Sequence, residues 1–328
     1  MIEIPVDFNK KMLEKFPHDP TIKQRKLLTL LSDFIFNENK NALFLLKGYA
    51  GTGKTTTIGT FVNSLWTAGK KSVLLAPTGR AAKVISLYSK KPAFTIHKKI
   101  YFPKKQSNGS VAFVLQPNKH TNTVFIVDEA SMIPDGRQNQ QLFDSSSLLD
   151  DLISYVYSGV NCKLIFIGDT AQLPPVKLSV SPALEQDTLT YDYHKEVTEI
   201  ELDEVMRQHK DSGILANATA LRLLLKNEDE KFQFDIDFAD IERLEDGYDI
   251  EDAIVSAYES DGVEDTAFIV RSNKRANEYN QQIRYNIRGQ ENEISAGDYI
   301  MIVKNNYFWL PESSTAGFIA NGDICEVL

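Results

Sequence analysis

The segment Gly48-Tyr49-Ala50-Gly51-Thr52-Gly53-Lys54-Thr55 has the spacing G-x-x-x-x-G-K-[ST] of a phosphate-binding loop. An apolar stretch, Ala42–Leu46, precedes it, and residues 56–66 read as a helix. A strand, a glycine turn and a helix N-terminus wrap consecutive backbone N–H groups around an anion. Gly48, Gly51 and Gly53 let the backbone turn tightly and approach phosphate, with Thr52 and Thr56 beside them. Lys54 would sit on the outer phosphates of a nucleoside triphosphate such as ATP, and the Thr55 hydroxyl would ligate Mg²⁺.

A second constellation, an acidic one, closes the strand-like run Val124–Val127, which ends in Asp128-Glu129. At a strand end beside a phosphate loop, Asp128 can hold Mg²⁺ directly or through water. Glu129 can then orient and deprotonate an attacking water. A third strand, Leu164–Ile167, runs into Gly168-Asp169-Thr170-Ala171-Gln172-Leu173-Pro174-Pro175-Val176. Gln172 can donate to a γ-phosphate or to the lytic water, and the two prolines stiffen the loop after it. Arg207, in Asp203-Glu204-Val205-Met206-Arg207-Gln208, is either half of a surface ion pair or an arginine reaching a γ-phosphate.

Ala76-Pro77-Thr78-Gly79-Arg80-Ala81-Ala82 opens a helix at a strand end. Thr78 can cap it, and its free N–H groups suit a nucleic-acid phosphate. Thr95-Ile96-His97 is weak alone, since a lone histidine is more often structural. Gln24 could read adenine with its two-sided amide, although by itself it is a surface glutamine.

These residues need elements to hold them. Four apolar runs, Ala42–Leu46, Ser72–Ala76, Val124–Val127 and Leu164–Ile167, each precede a polar turn. Runs apolar on both faces, alternating with helical segments, predict an α/β parallel sheet flanked by helices. In such sheets ligands collect at the carboxyl ends of the strands, where every motif above falls. Residues 98–122 carry an Asn108-Gly109 hairpin signal and predict a small β insertion outside the main sheet. Residues 200–208 are expected to leave the first domain, and 214–226 to form a helix. The acidic stretch 228–252, with Phe232, Phe234 and Phe238, is expected to be a solvated surface over buried aromatics. A second α/β unit is expected from the strand Ala267–Val270, through a helix at 274–284, to the strand-like Tyr299–Val303.

The bulk properties fit about two domains, with 42% hydrophobic and 25% charged residues in 328. No apolar run approaches a membrane span. Two cysteines are too few for a disulfide framework, which suggests a reducing cytoplasm. A net charge of −9 argues against coating by nucleic acid but leaves room for a narrow basic groove.

Taken in order, six blocks resemble the motor core of superfamily 1 DNA helicases, of the RecD-like and phage Dda-like 5′-to-3′ branch. They are Gly48–Thr55, Ala76–Ala82, Thr95–His97, Asp128–Met132, Gly168–Val176 and Leu202–Gln208. The resemblance is firm over 21–208 and weaker through 269–273 and 318–323. It implies a RecA-like P-loop NTPase domain at 1–208. It also implies a partial second RecA-like domain at 209–328, with a further β insertion starting near 295–328. It gives Gln24 the adenine and makes Gln172 and Arg207 a γ-phosphate pair. It puts Pro77, Thr78, Arg80, Thr95, His97, Ser272 and Asn273 on single-stranded DNA, and turns the 98–122 insertion into a strand-separating pin with Phe102 or Phe113 stacking on a base. It implies ATP-driven, Mg²⁺-dependent DNA unwinding, with other recombination or repair proteins as partners. The family's later blocks are absent, so the chain is expected to be part of a longer protein and weak alone. The alternatives are a P-loop ATPase subunit or nucleotide-dependent DNA-binding module of a RecBCD-type nuclease complex, or a protein-remodelling ATPase.

Overall fold

The computed structural model describes residues 4–105, 111–134, 147–204, 212–227, 231–263, 265–304, 306, 309–310, 319 and 321–328. The chain divides into two compact units, Met1–Met206 with Met301–Asp323, and Arg207–Ile300 with Ile324–Leu328.

The first unit begins with helices α1 (Pro5–Glu14) and α2 (Ile22–Phe36). Strand β1 (Ala42–Gly48) leads into α3 (Lys54–Ser64), then β2 (Lys71–Ala76), α4 (Gly79–Ser89), β3 (Ala93–Thr95) and the short α5 (Ile96–Ile100). Strands β4 (Tyr101–Lys105) and β5 (Val111–Leu115) follow, then β6 (Thr123–Val127), α6 (Leu148–Tyr157), β7 (Lys163–Gly168), α7 (Gln186–Tyr191) and β8 (Glu196–Leu202).

Six strands form one sheet in the order β3-β2-β6-β7-β1-β8. Every described pairing in it is parallel. The four apolar runs of the sequence are its four central strands. Their side chains alternate between two cores, as a pleat requires. Phe44, Leu46, Leu74, Ile126, Ile165 and Ile167 face one core with α1, α2 and α3. Leu43, Leu45, Val73, Leu75, Phe125, Val127, Leu164 and Phe166 face the other with α5 and α6. Each such side chain, fully buried, stabilises the fold by about 1.5–3 kcal/mol. Strands apolar on both sides are thereby locked in register, which fixes the loops at their carboxyl ends.

Strands β4 and β5 pair antiparallel, Tyr101 opposite Leu115, in a separate two-stranded sheet. The edge strand β8 pairs with β1 from Ala42↔Glu196 to Gly48↔Leu202. The chain therefore completes the sheet through Leu202 before leaving it, a strand that the expected departure at 200–208 did not include.

The second unit holds α8 (Gly213–Asn227), α9 (Gly247–Ser260) and α10 (Asn273–Gln282), and the short strands β9 (Tyr299–Met301) and β10 (Ile324–Glu326) pair in a two-stranded ribbon. Two expectations change here. The acidic stretch contains the start of α9, whose N-cap Asp246 accepts from the N–H groups of Tyr248 and Asp249. The aromatics near it are not buried: Phe234 is 66% exposed and packs edge-on against Phe232. Residues Ala267–Val270 form no strand and join no described sheet, and Ile269 is 97% exposed. An apolar run becomes a strand only where a neighbour takes its backbone hydrogen bonds, and here none of the described strands does.

Candidate nucleotide site

The loop between β1 and α3 is built from residues that could not be exchanged freely. Gly51 and Gly53 have φ of 77° and 81°, in the left-handed region. A Cβ on Gly48 would stand 3.0 Å from both Cβ and the carbonyl oxygen of Leu202, so β8 packs directly on the start of the loop. Thr52 is buried, its Oγ1 donating to the Tyr49 carbonyl at 2.7 Å. Lys54 Nζ donates back to the carbonyls of Gly48 and of Tyr49, the latter at 2.8 Å. The lysine is thus folded over the loop that it would serve. The N-cap of α3, Gly53, offers no side-chain cap, so the positive end of the helix dipole faces the loop. Thr55, the second residue of α3, is exposed.

Gln24 lies under this loop with 1% of its surface exposed. It sits in a capping box at the start of α2, its Oε1 accepting from the Thr21 N–H at 3.1 Å. Its Nε2 donates to the Thr52 carbonyl at 3.1 Å. The glutamine therefore buttresses the phosphate loop, and this packing is more than a surface residue would make.

Strands β1, β7 and β6 are consecutive neighbours, so the loops after them open on the same edge of the sheet. Asp128, just past β6, is fixed at both carboxylate oxygens. Oδ1 accepts from the Glu129 N–H at 2.9 Å, and Oδ2 accepts from the Tyr88 hydroxyl at 2.8 Å. Glu129 has φ 54° and ψ 38°, a left-handed conformation that costs a non-glycine residue about 1–2 kcal/mol. Strain of this kind persists where surrounding structure over-determines it. Here the support is the turn Ala130–Met132 with its C-cap Ile133: the carbonyls of Ala130 and Ile133 lie 2.9 and 2.7 Å from the buried Ser181 Oγ.

Burial pushes the Glu129 carboxyl above its ordinary range, and the charges of Asp128 and Asp169 push it further. Lys54 and a hydrogen bond from Gln172 pull it back. These influences tie the lysine, the acid pair and the glutamine into one electrostatic site. Burial, with Asp128 and Glu129 beside it, raises the Tyr88 hydroxyl far above its ordinary range, so it stays a donor. Gln172, exposed, has its Oε1 3.5 Å from Ser131 Oγ, and its backbone N–H donates to the Asp169 carbonyl at 3.3 Å. Tyr88, Ser131 and Asp169 were not singled out by the sequence. Asp169 follows a buried strand as Asp128 does, and that was a signal. Tyr88 sits inside a helix with no motif around it.

Thr78 caps α4, its side chain accepting from the Ala81 N–H at 3.2 Å, with Pro77 half-buried before it and Arg80 exposed after it. Thr95 is fully buried and caps α5 through the Lys98 N–H at 3.2 Å. His97 is half-buried, its ring 5.8 Å from that of Tyr101, and burial lowers its affinity for a proton. In the second unit Ser272 caps α10, accepting from the Arg275 N–H at 3.2 Å, and Asn273 is the exposed first residue of that helix. Phe102 is 39% exposed on β4 and Phe113 is half-buried on β5. Arg207 lies outside the described residues.

The profile of the AAA domain family matches residues 35–236, which span the phosphate loop, the acid pair and Gln172. The chain belongs to the AAA domain family. Among curated relatives of this AAA domain protein, the ATP-dependent DNA helicase Dda of Enterobacteria phage T4 is 32% identical over 180 residues, covering 54% of this chain and 37% of that protein. The ATP-dependent RecD2 DNA helicase of Deinococcus radiodurans is 30% identical over 181 residues, covering 55% and 21%. The match thus spans well under half the length of either relative. Its kinship is with superfamily 1 helicases of the RecD and Dda type, as the six blocks indicate. A Pif1 helicase from Bacteroides, solved with ADP-AlF3 and single-stranded DNA, aligns at 17% identity and a TM-score of 0.43, covering 92% of this chain and 63% of that one.

Proposed function

We propose that this chain is the nucleotide-hydrolysing core of an ATP-dependent DNA helicase or translocase acting on single-stranded DNA. The observation that carries the proposal is the convergence of Lys54, Asp128, Glu129 and Gln172 at adjacent loops behind β1, β6 and β7. Lys54 would leave the carbonyls of Gly48 and Tyr49 for the outer phosphates, and the α3 N–H groups would hold the remaining oxygens. Thr55 and Asp128 supply a hydroxyl and a carboxylate, hard oxygen donors of the kind Mg²⁺ takes when phosphates and water complete its shell. Bound there, the ion would neutralise phosphate charge. Glu129, raised toward neutrality yet held beside Lys54, is suited to take a proton from a water. Gln172 and Arg207 would read the terminal phosphoryl group, and Gln24 would report the base while supporting the loop.

Support for DNA as the track comes from the named relatives, both DNA helicases, and from the capped α4 N-terminus with exposed Arg80. Thr78, Arg80 and His97 would contact the strand with Ser272 and Asn273, and buried Thr95 would place His97. The β4–β5 hairpin would serve as the pin. Contacts of this type go to the backbone, so affinity would be weakly sequence-dependent and steeply salt-dependent. No described helix is long and apolar enough to cross a membrane, and a cytoplasmic setting is proposed. The test is ATP turnover by this chain and by a longer protein containing it, with and without single-stranded DNA. Stimulation by DNA supports the proposal. Stimulation by a protein alone would replace it with a remodelling ATPase, and DNA binding without turnover would leave a nucleotide-dependent clamp.

A further inference from the structure

We infer that Tyr88 is a positioning residue for Asp128, reaching from α4 to hold the carboxylate in the orientation a Mg²⁺–nucleotide complex requires. The inference rests on the proposed reading of Asp128 as the magnesium carboxylate. The Tyr88 hydroxyl lies 2.8 Å from Asp128 Oδ2, and the Glu129 N–H lies 2.9 Å from Oδ1. A carboxylate oxygen has two acceptor sites, so each keeps one for an ion or an ion-bound water. A carboxylate turns easily about its last torsion, where preferences are broad. Two donors from different directions remove that freedom, and a donor bonded to an ionised acceptor makes a strong bond. Removal of the hydroxyl leaves only the tether from the adjacent backbone.

The ring of Tyr88 has a separate job. It is half-buried against the core beneath α3, beside Gly59, where an added Cβ would meet the Tyr88 carbonyl oxygen at 3.5 Å and its Cδ2 at 3.8 Å. Packing explains an aromatic residue at this place but not a hydroxyl. Phenylalanine would fill the same space with no buried oxygen to satisfy. The hydroxyl is directed at the one carboxylate at the end of β6 that the phosphate loop needs. Groups that orient a metal ligand from behind commonly change metal affinity by about 10–100-fold when removed.

The experiment is equilibrium binding of a fluorescent, non-hydrolysable ATP analogue to the parent, Tyr88→Phe and Asp128→Ala chains, in EDTA and across a Mg²⁺ series. Thermal unfolding without Mg²⁺ is measured alongside. In Tyr88→Phe the Mg²⁺ concentration giving half of the affinity gain should rise about tenfold, while affinity in EDTA stays within twofold. An unchanged Mg²⁺ midpoint in Tyr88→Phe, with or without a lower Tm, would reduce Tyr88 to packing and overturn the inference. Asp128→Ala keeps the two failures apart: retention of the full Mg²⁺ effect there would overturn the reading of Asp128 itself, and the inference with it.

Discussion

The side-chain amide of Gln24 fills the space that a Cβ on Gly53 would need, far inside contact distance. Gly53 also has φ of 81°, which a residue with a Cβ resists. Gly53→Ala should therefore cost about 1–2 kcal/mol in backbone strain and displace the amide from the Thr52 carbonyl. The expected outcome is a lower Tm and lost nucleotide affinity, read by thermal unfolding and ligand titration. Parent-like values for both would show that the loop does not depend on this contact.

Glu129 makes a prediction about stability and pH. Its folded-state carboxyl is raised above the ordinary value of 4.5, chiefly by burial. A raised carboxyl favours the folded state while it is protonated, and that contribution is lost as pH rises through the raised value. Above the ordinary carboxylate range the burial of Glu129 thus costs the folded chain stability. Glu129→Gln should raise Tm at pH 7, and the gain should vanish in acid below about pH 4.5, where Glu129 is protonated folded or unfolded. The same substitution should slow ATP turnover by about 10²–10⁴-fold with binding retained. A uniform Tm shift across pH would remove the electrostatic explanation.

Gln172 stands beside Ser131 and bonds with Glu129, which places its amide at the acid pair. Gln172→Ala should leave nucleotide affinity within about threefold and cut turnover by about 10²-fold, the scale of losing one oriented donor. Single-turnover measurements beside equilibrium binding check this. Equal losses in both would make it a binding residue.

Much of this was legible in the residues, for identifiable reasons. Strands β1, β2, β6 and β7 carry apolar side chains on both faces because helices cover both faces, so they stood out as unbroken runs. Strand β8, Glu196-Val197-Thr198-Glu199-Ile200-Glu201-Leu202, is an edge strand with polar alternation, and its last residues read as the chain leaving the domain. Ala267–Val270 had the composition of a buried strand, but strand formation is decided by a partner elsewhere in the chain. The phosphate loop and acid pair were legible because anion binding and metal chemistry demand fixed residues at fixed spacings. Tyr88 was not: its contact with Asp128 joins residues 40 positions apart, and no local pattern records it. Gln24 was legible as an amide that could read adenine and otherwise as a surface residue, but its burial under Gly53 comes only from how α2 packs.

The most direct measurement is equilibrium binding of ATP with Mg²⁺ to the parent chain and to Lys54→Ala. In the structure the Lys54 ammonium lies over the loop on the Tyr49 carbonyl at 2.8 Å. A hydrogen bond to a charged group contributes about 1.5–3 kcal/mol, so Lys54→Ala should bind about ten- to a hundredfold more weakly. Equal affinity in the two proteins, or no ATP binding by the parent, would contradict a triphosphate seated on this loop.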